Sequence, residues 1–194
     1  QLHYARIISN TYRKFAVLLL VSMIPTALLG YTARRLVVLA ADSVLIPSAG
    51  LLVTGIVLLV IDLARTGGTK AAKDANLSDA MWIGLCQGIS VFPGLSRSGL
   101  TISAGLMSGF SRTFAVKYSY ILSIPAIIGS LIMELGQFGS PAMTVGLGFA
   151  YVLGMIVSGV TAFFVIRYCL KLVHKGRFRV FAIYCFGIGL VTLI

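Results

Sequence analysis

Acidic residues are scarce in this chain, with 5 Asp and Glu among 194 residues against 16 Lys and Arg. Histidine occurs only at His3 and His174, and tryptophan only at Trp82. Cysteine is limited to Cys86, Cys169 and Cys185, all in or beside apolar runs, with no CxxC and no Cys/His ligand spacing. That pattern indicates neither a disulfide framework nor a zinc site, and the three read as packed thiols. Charged residues make up 11% of the chain, where a soluble domain carries about 25%. No basic-then-apolar-then-small leader precedes the first apolar run and residue 1 is Gln, so the chain is expected to be processed or truncated.

What is present is apolar surface: 58% of residues are hydrophobic and the mean hydropathy is +1.00, which excludes an ordinary soluble domain. A net charge of +11 would point to nucleic acid in a soluble protein. Here it is a topology signal, because Lys and Arg of membrane proteins collect on the cytoplasmic side, and no nucleic acid partner is expected.

A membrane-spanning helix needs about 20 apolar residues. Five stretches are expected to span: 15–31 with Pro25 inside it, 48–63, 113–135, 141–166 and 178–194. The stretch 36–47, with Asp42, is open between an extension and an interfacial helix, and 65–79 is a polar connection with Gly67 and Gly68. Between 78 and 110 two shorter apolar stretches flank a break at Pro93-Gly94-Leu95-Ser96-Arg97-Ser98-Gly99, and neither reaches the length of a span.

The basic residues decide how that segment is threaded. A hairpin that enters and leaves on one face puts 13 Lys and Arg on one side and only Arg34 and Arg35 on the other, with Arg97 inside. A single crossing would give nine against six. A re-entrant hairpin over 78–110 is therefore expected, entering from the cytoplasmic face, with the C-terminus outside. The whole is an all-α polytopic membrane domain of five transmembrane helices and one re-entrant hairpin. Small residues repeat every four positions at Ala150, Gly154 and Ser158 and at Gly105 and Gly109, which lets helices approach closely. Packing within the chain is the first reading of these stripes, and a homodimer is the other.

Arg97 stands about fifteen residues from either end of the hairpin, so it is expected deep in the membrane facing a protein-lined cavity. An arginine at the bilayer centre costs at least about 2.5–3.5 kcal/mol, and such a residue is commonly kept for an ion or substrate. Ser96, Ser98 and Thr101 add hydroxyls, Gly94 and Gly99 permit an anion-binding turn, and a helix starting near Leu100 would aim its positive end at the same place. Guanidinium, hydroxyls and helix N-terminus together suit a phosphate, in a loop spanning 93–101.

The run Gln87-Gly88-Ile89-Ser90-Val91-Phe92-Pro93-Gly94-Leu95-Ser96-Arg97-Ser98-Gly99-Leu100-Thr101 closely resembles the second signature, P-G-x-S-R-S-G-x-T, of the undecaprenyl-diphosphate phosphatases, the bacitracin-resistance membrane phosphatases. Ile24-Pro25-Thr26-Ala27, Ser123-Ile124-Pro125-Ala126 and Arg179-Val180-Phe181-Ala182-Ile183-Tyr184 resemble the same family, so the likeness covers essentially the whole chain. The resemblance implies a hydrolase of the bacterial plasma membrane that removes the terminal phosphate of the polyprenyl diphosphate carrier for peptidoglycan synthesis. It also implies two inverted repeats, each with a re-entrant helix pair, meeting at a site toward the outer face. Ser96, Arg97 and Thr101 match the signature residues that hold the diphosphate, and Ser98, Gly99 and Gln87 lie beside them. A divalent cation, Mg or Ca, is implied as cofactor, with no metal ligand on this chain.

The family's first signature, E-G-x-T-E-F-x-P-V-S-S-x-G-H, has no match here, and Gln87 stands where the counterpart in the second repeat of the first glutamate would be. An amide donates and accepts hydrogen bonds but is neither a general base nor a strong cation ligand. Glu134 and Asp62 close spans on opposite faces, and His3 and His174 read as solvated residues. A phosphatidate-phosphatase motif fails, since the positions six and ten after Arg97 hold Ser103 and Met107. The alternative function is a transporter or flippase of an anionic polyprenyl lipid, since broken helices and an anion site serve both. The chain is expected to be the diphosphate-binding, C-terminal part of a longer enzyme. Residues 1–194 alone should therefore show no appreciable phosphatase activity; Mg- or Ca-dependent phosphate release by that protein in detergent would overturn this.

Overall fold

The computed structural model describes the backbone of residues 2–134 and 145–193, and the side chains of residues 10–132 and 146–193. Among these residues the secondary structure is helical: α1 (Leu2–Thr32), α2 (Arg34–Ala41), α3 (Leu45–Leu63), α4 (Leu77–Ile89), α5 (Arg97–Met107), α6 (Arg112–Glu134), α7 (Val145–His174) and α8 (Phe178–Val191). Four segments are long and apolar enough to cross a membrane: Asn10–Thr32, Leu45–Leu63, Arg112–Ile132 and Gly146–His174. They correspond to four of the five expected spans; residues 135 and 141–144 of two of those spans lie outside the described residues.

The fifth differs from expectation. α8 has 14 residues, about 21 Å at 1.5 Å per residue, where a hydrocarbon core is about 30 Å thick. Conversely, α7 continues eight residues past the expected end at 166. Basic residues keep helical backbone well, and the Arg167 guanidinium lies 4.3 Å from the centre of the Phe163 ring one turn back. α7 stops at Gly176, whose φ of +67° suits glycine, with Gly176 N–H donating to Val173 O and Arg177 N–H to Leu172 O. The ambiguous stretch 36–47 divides into α2 and the first turn of α3, with a break at Asp42–Val44.

α4 and α5 form a helical hairpin. Its two ends meet: Gly68 N–H donates to Phe110 O at 3.0 Å, Lys70 N–H to Gly109 O at 3.1 Å, and Ser111 N–H to Lys70 O at 3.0 Å. Asp79 fixes the start of α4 by accepting the Asn76 N–H at 2.9 Å and pairing with Lys70 at 3.3 Å. α1 runs beside α4 in the same direction, with Ser22 Oγ donating to Ala80 O and Thr26 Oγ1 to Gly84 O. Gly84 allows this approach, because a Cβ there would run into the Ser22 carbonyl. α3 and α8 run antiparallel, held by Asp62 and Arg179 at one end and by Ser48 and Thr192 at the other. Phe15, Phe110, Phe114 and Tyr118 form an aromatic cluster where α1, the hairpin base and α6 meet.

Charge sorts along the same axis. Lys14 reaches Lys73 O, Lys70 holds Asp79, Arg112 lies against Gly176, and Arg179 pairs with Asp62, all at the hairpin's base. The tip lies at the other end, against Pro47 and Gly50 at the start of α3. Arg34 and Arg35 follow the end of α1 there. Arg97 thus sits near the far ends of α1 and α6, not midway along them. A count of residues to the hairpin's ends suggests mid-membrane depth, but about fifteen helical residues already climb some 22 Å.

Gly84→Ala should destabilise the chain by about 1–3 kcal/mol, the usual cost of forcing an extra methyl into a packed interface. Thermal unfolding in detergent checks this, and an unchanged melting temperature would contradict the α1–α4 packing.

Candidate anion-binding site at the hairpin tip

The tip is a helix break inside a helical bundle, and its freed backbone groups need partners. Gly94 takes φ +84° and packs on the Pro47 carbonyl, where a Cβ would clash. Thr54, buried on α3, does the rest. Its hydroxyl accepts the Ser96 N–H at 3.0 Å and lies 3.0 Å from Gly50 O and 3.3 Å from Gly94 O as donor. Ser96 then caps α5, its Oγ accepting the Gly99 N–H at 3.1 Å. The N–H groups of Arg97 and Ser98, in the first turn of α5, have no acceptor within the helix.

The structure does not gather the signature side chains into one cavity. Arg97 and Gln87 line a cavity of about 740 Å³ with Thr26, Tyr31, Ser90 and Ser130. Ser96, Ser98 and Gly99 line a second, of about 410 Å³, between α5, α3 and α8. Thr101 is buried between α5 and α6, where its hydroxyl donates to Arg97 O at 2.8 Å and lies 2.6 Å from Ser119 Oγ. Ser96 precedes the helix in extended backbone, and Arg97 and Ser98, its first two residues, point about 100° apart, which separates Arg97 from the two serines.

Gln87 is the polar group least provided for. It is 2% exposed, its Oε1 has no hydrogen-bond partner among the described residues, and its Nε2 reaches only Met23 Sδ at 4.0 Å. A buried polar atom left unpaired costs about 1–3 kcal/mol, so a partner from outside the chain is favoured. Arg97 is equally unopposed, with no ion pair to a described carboxylate. A guanidinium and an amide on one cavity suit an oxyanion that carries both acceptor oxygens and a bound proton or water.

The same donor set does not by itself fit a divalent cation. Mg and Ca favour carboxylate oxygens, whereas this cavity offers neutral oxygens beside a fixed positive charge. No group of three or more His, Cys, Asp and Glu able to hold a metal occurs among the described residues. Asp62 is engaged with Arg179, and His174 is exposed with Nδ1 2.7 Å from Leu170 O. The side chains of Glu134 and His3 lie outside the described residues.

Sequence reasoning missed Thr54 and Ser119. Thr54 could have been found as one of only two hydroxyls in the apolar run 48–63, a setting in which a polar side chain must have a partner. Ser119 carries no comparable signal.

Comparison with known proteins places the chain. Residues 2–191 match the family of the bacitracin resistance protein BacA. An undecaprenyl-diphosphatase of Desulforapulum autotrophicum is 40% identical over 185 residues, covering 93% of this chain and 64% of that protein. Those of Alkaliphilus metalliredigens and Desulfosudis oleivorans are 35% and 39% identical, with 96% and 93% of this chain covered. The chain spans 64% to 68% of the length of these three relatives. With the signature run forming a hairpin tip and its arginine on an open cavity, the chain belongs to the BacA bacitracin-resistance protein family.

Proposed function

We propose that this chain contributes the diphosphate-binding part of an undecaprenyl-diphosphate phosphatase, acting on a polyprenyl diphosphate in the bacterial plasma membrane. The observation that carries the reading is the pairing of an unopposed Arg97 with an unpartnered, buried Gln87 on one cavity, in a chain of this family. In the proposed complex the Arg97 fork binds two phosphate oxygens, and the free N–H groups at the start of α5 face the same charge. Gln87 orients a ligand hydroxyl or a water beside it. Phosphoryl transfer depends chiefly on positioning and on neutralising the charge of the transferring group, and Arg97 serves both.

The proposal includes a topology. The α4–α5 hairpin is re-entrant from the cytoplasmic face, α8 completes the fifth crossing together with the turn that follows it, and the site opens toward the outer face. The grouping of Lys14, Lys70, Lys73, Arg112 and Arg179 at the hairpin base supports this orientation. The inverted-repeat architecture is part of the same reading, as is release of inorganic phosphate for carrier recycling. A Mg or Ca requirement belongs to it as well, with carboxylates drawn from outside the described residues; a homodimer is compatible with the exposed face of α7. Carriage of the lipid without hydrolysis gains support from no contact among the described residues.

In the full-length enzyme Arg97→Lys should lower kcat/KM for polyprenyl diphosphate roughly ten- to hundred-fold, the loss of one charge-assisted hydrogen bond of about 1.5–3 kcal/mol. Phosphate release from reconstituted vesicles measures it, and full activity in the variant would sink the proposed clamp. Thr54→Val leaves the Ser96 N–H without its acceptor and should cost about 1–3 kcal/mol of stability, whereas Thr54→Ser should melt close to the parent. Equal melting of the two variants would contradict the role given to Thr54.

A further inference from the structure

The end of α7 carries charge that neither the site at the hairpin tip nor the packing of the helices uses. The apolar run ends at Ile166, yet the helix continues to His174. Those further residues rise about 12 Å, more than the roughly 5–8 Å of head-group layer on each side of a hydrocarbon core. Arg167, Lys171 and Lys175 stand four residues apart and so share one face, and all three are exposed. Lys175 keeps the helical register, its N–H donating to Lys171 O at 3.2 Å. Arg177 follows in the turn, also exposed. Arg112 joins the group from α6, its side chain passing Gly67 and its guanidinium lying against Gly176, between Lys175 and Arg177. At the other edge the Arg167 guanidinium lies 4.3 Å from the centre of the exposed Phe163 ring, next to the exposed Phe164.

No described carboxylate pairs with any of these cations. The ion pairs at this end join Lys70 to Asp79 and Arg179 to Asp62, and Asp74 accepts the Ala71 N–H. Like charges four residues apart on a helix destabilise it. The negative end of the helix dipole relieves this only over the last turn, which leaves Arg167 and the converging Arg112 without compensation. A bias of Lys and Arg toward one side of a membrane is satisfied by charge anywhere on that side and needs no such convergence. Grouped cations at head-group depth suit the phosphate of an anionic lipid, which an arginine fork binds through two oxygens and a lysine as a point charge. The exposed Phe163 and Phe164 at the edge of the group supply an apolar surface that acyl chains can cover and a free anion cannot.

We infer that the end of α7, with the α7–α8 turn and Arg112, binds the head group of an anionic phospholipid in the leaflet at the hairpin base, the inner leaflet in the proposed topology. The lipid is a structural partner and not a substrate. Its phosphate neutralises the stripe Arg167, Lys171 and Lys175, and through Arg112 it fastens the end of α7 to the start of α6. The inference rests on the placement of the chain in a membrane and is independent of the phosphatase reading.

The test uses the full-length protein, delipidated in a neutral detergent and titrated with phosphatidylglycerol or phosphatidylcholine, with bound lipid counted by native mass spectrometry. The parent should bind one phosphatidylglycerol at least tenfold more tightly than phosphatidylcholine. Each cation near a lipid phosphate contributes about fivefold in affinity, so the pair Lys171→Gln and Lys175→Gln should weaken phosphatidylglycerol binding at least tenfold. Both positions are exposed and glutamine keeps a helix well, so the melting temperature without lipid should match the parent. Arg177→Gln, outside the helix, should weaken binding about fivefold on its own. The pair Arg34→Gln and Arg35→Gln removes the same charge at the opposite end and should leave the affinity within about twofold of the parent. Equal binding of the two lipids by the parent, or an equal fall for the two pairs, overturns the site. Displacement of the lipid by inorganic phosphate at constant ionic strength would assign the cations to a free anion and overturn it as well. Binding is read without turnover, so its failure leaves the phosphatase reading standing, and a parent that releases no phosphate leaves the lipid site standing.

Discussion

A buried break between two helices survives only if the backbone groups it frees are given partners, and here that condition falls largely on one hydroxyl. Thr54 accepts the Ser96 N–H and lies within hydrogen-bonding distance of the Gly94 carbonyl as donor, so both sides of the break are tied to a continuous helix. With Ser96 fixed, its side chain can cap α5, and with α5 capped, Arg97 occupies a defined first-turn position. Gly94 and Gly50 contribute by letting the tip seat on the start of α3 without an intervening Cβ. The site is therefore held from α3, although neither Arg97 nor Gln87 belongs to that helix.

The first turn of α5 divides the space at the tip. One side carries the charge and the unpartnered amide; the other carries two serines over a mostly apolar recess shared with α3 and α8. Thr101 belongs to neither, because its hydroxyl fastens α5 to α6 through Ser119. A signature of nine residues thus combines ligand contacts with the bonds that hold them in place, and only geometry separates the two.

The long helices were legible from hydropathy, a property of many residues together, and the two short helices α4 and α5 from the break at 93–99 between short apolar stretches. The depth of Arg97 was not, since residue counts had to be converted to rise along α4. α8 ends at Val191, short of the expected 194, because hydropathy registers an apolar tail whether or not it stays helical. The grouping of Ser96, Arg97, Ser98 and Gly99 in one pocket followed from adjacency in the chain, which a helix turn undoes. Thr54 lay 42 residues from its partner Ser96, a contact that no local pattern encodes. That Gln87 Oε1 is buried without a partner, with only Met23 Sδ near its Nε2, shows in the packing and not in the sequence.

The fastening at the hairpin's base has a mechanical meaning. Three backbone hydrogen bonds join residues 68–70 to 109–111, and the Lys70–Asp79 pair closes the same corner. A carrier must present its binding element to one side of the membrane and then to the other, which requires a hinge at the root of that element. This hairpin has a brace there instead, and tight seats along α1 and α3 above it. It is built as a post, its tip held at a set distance from the braced base.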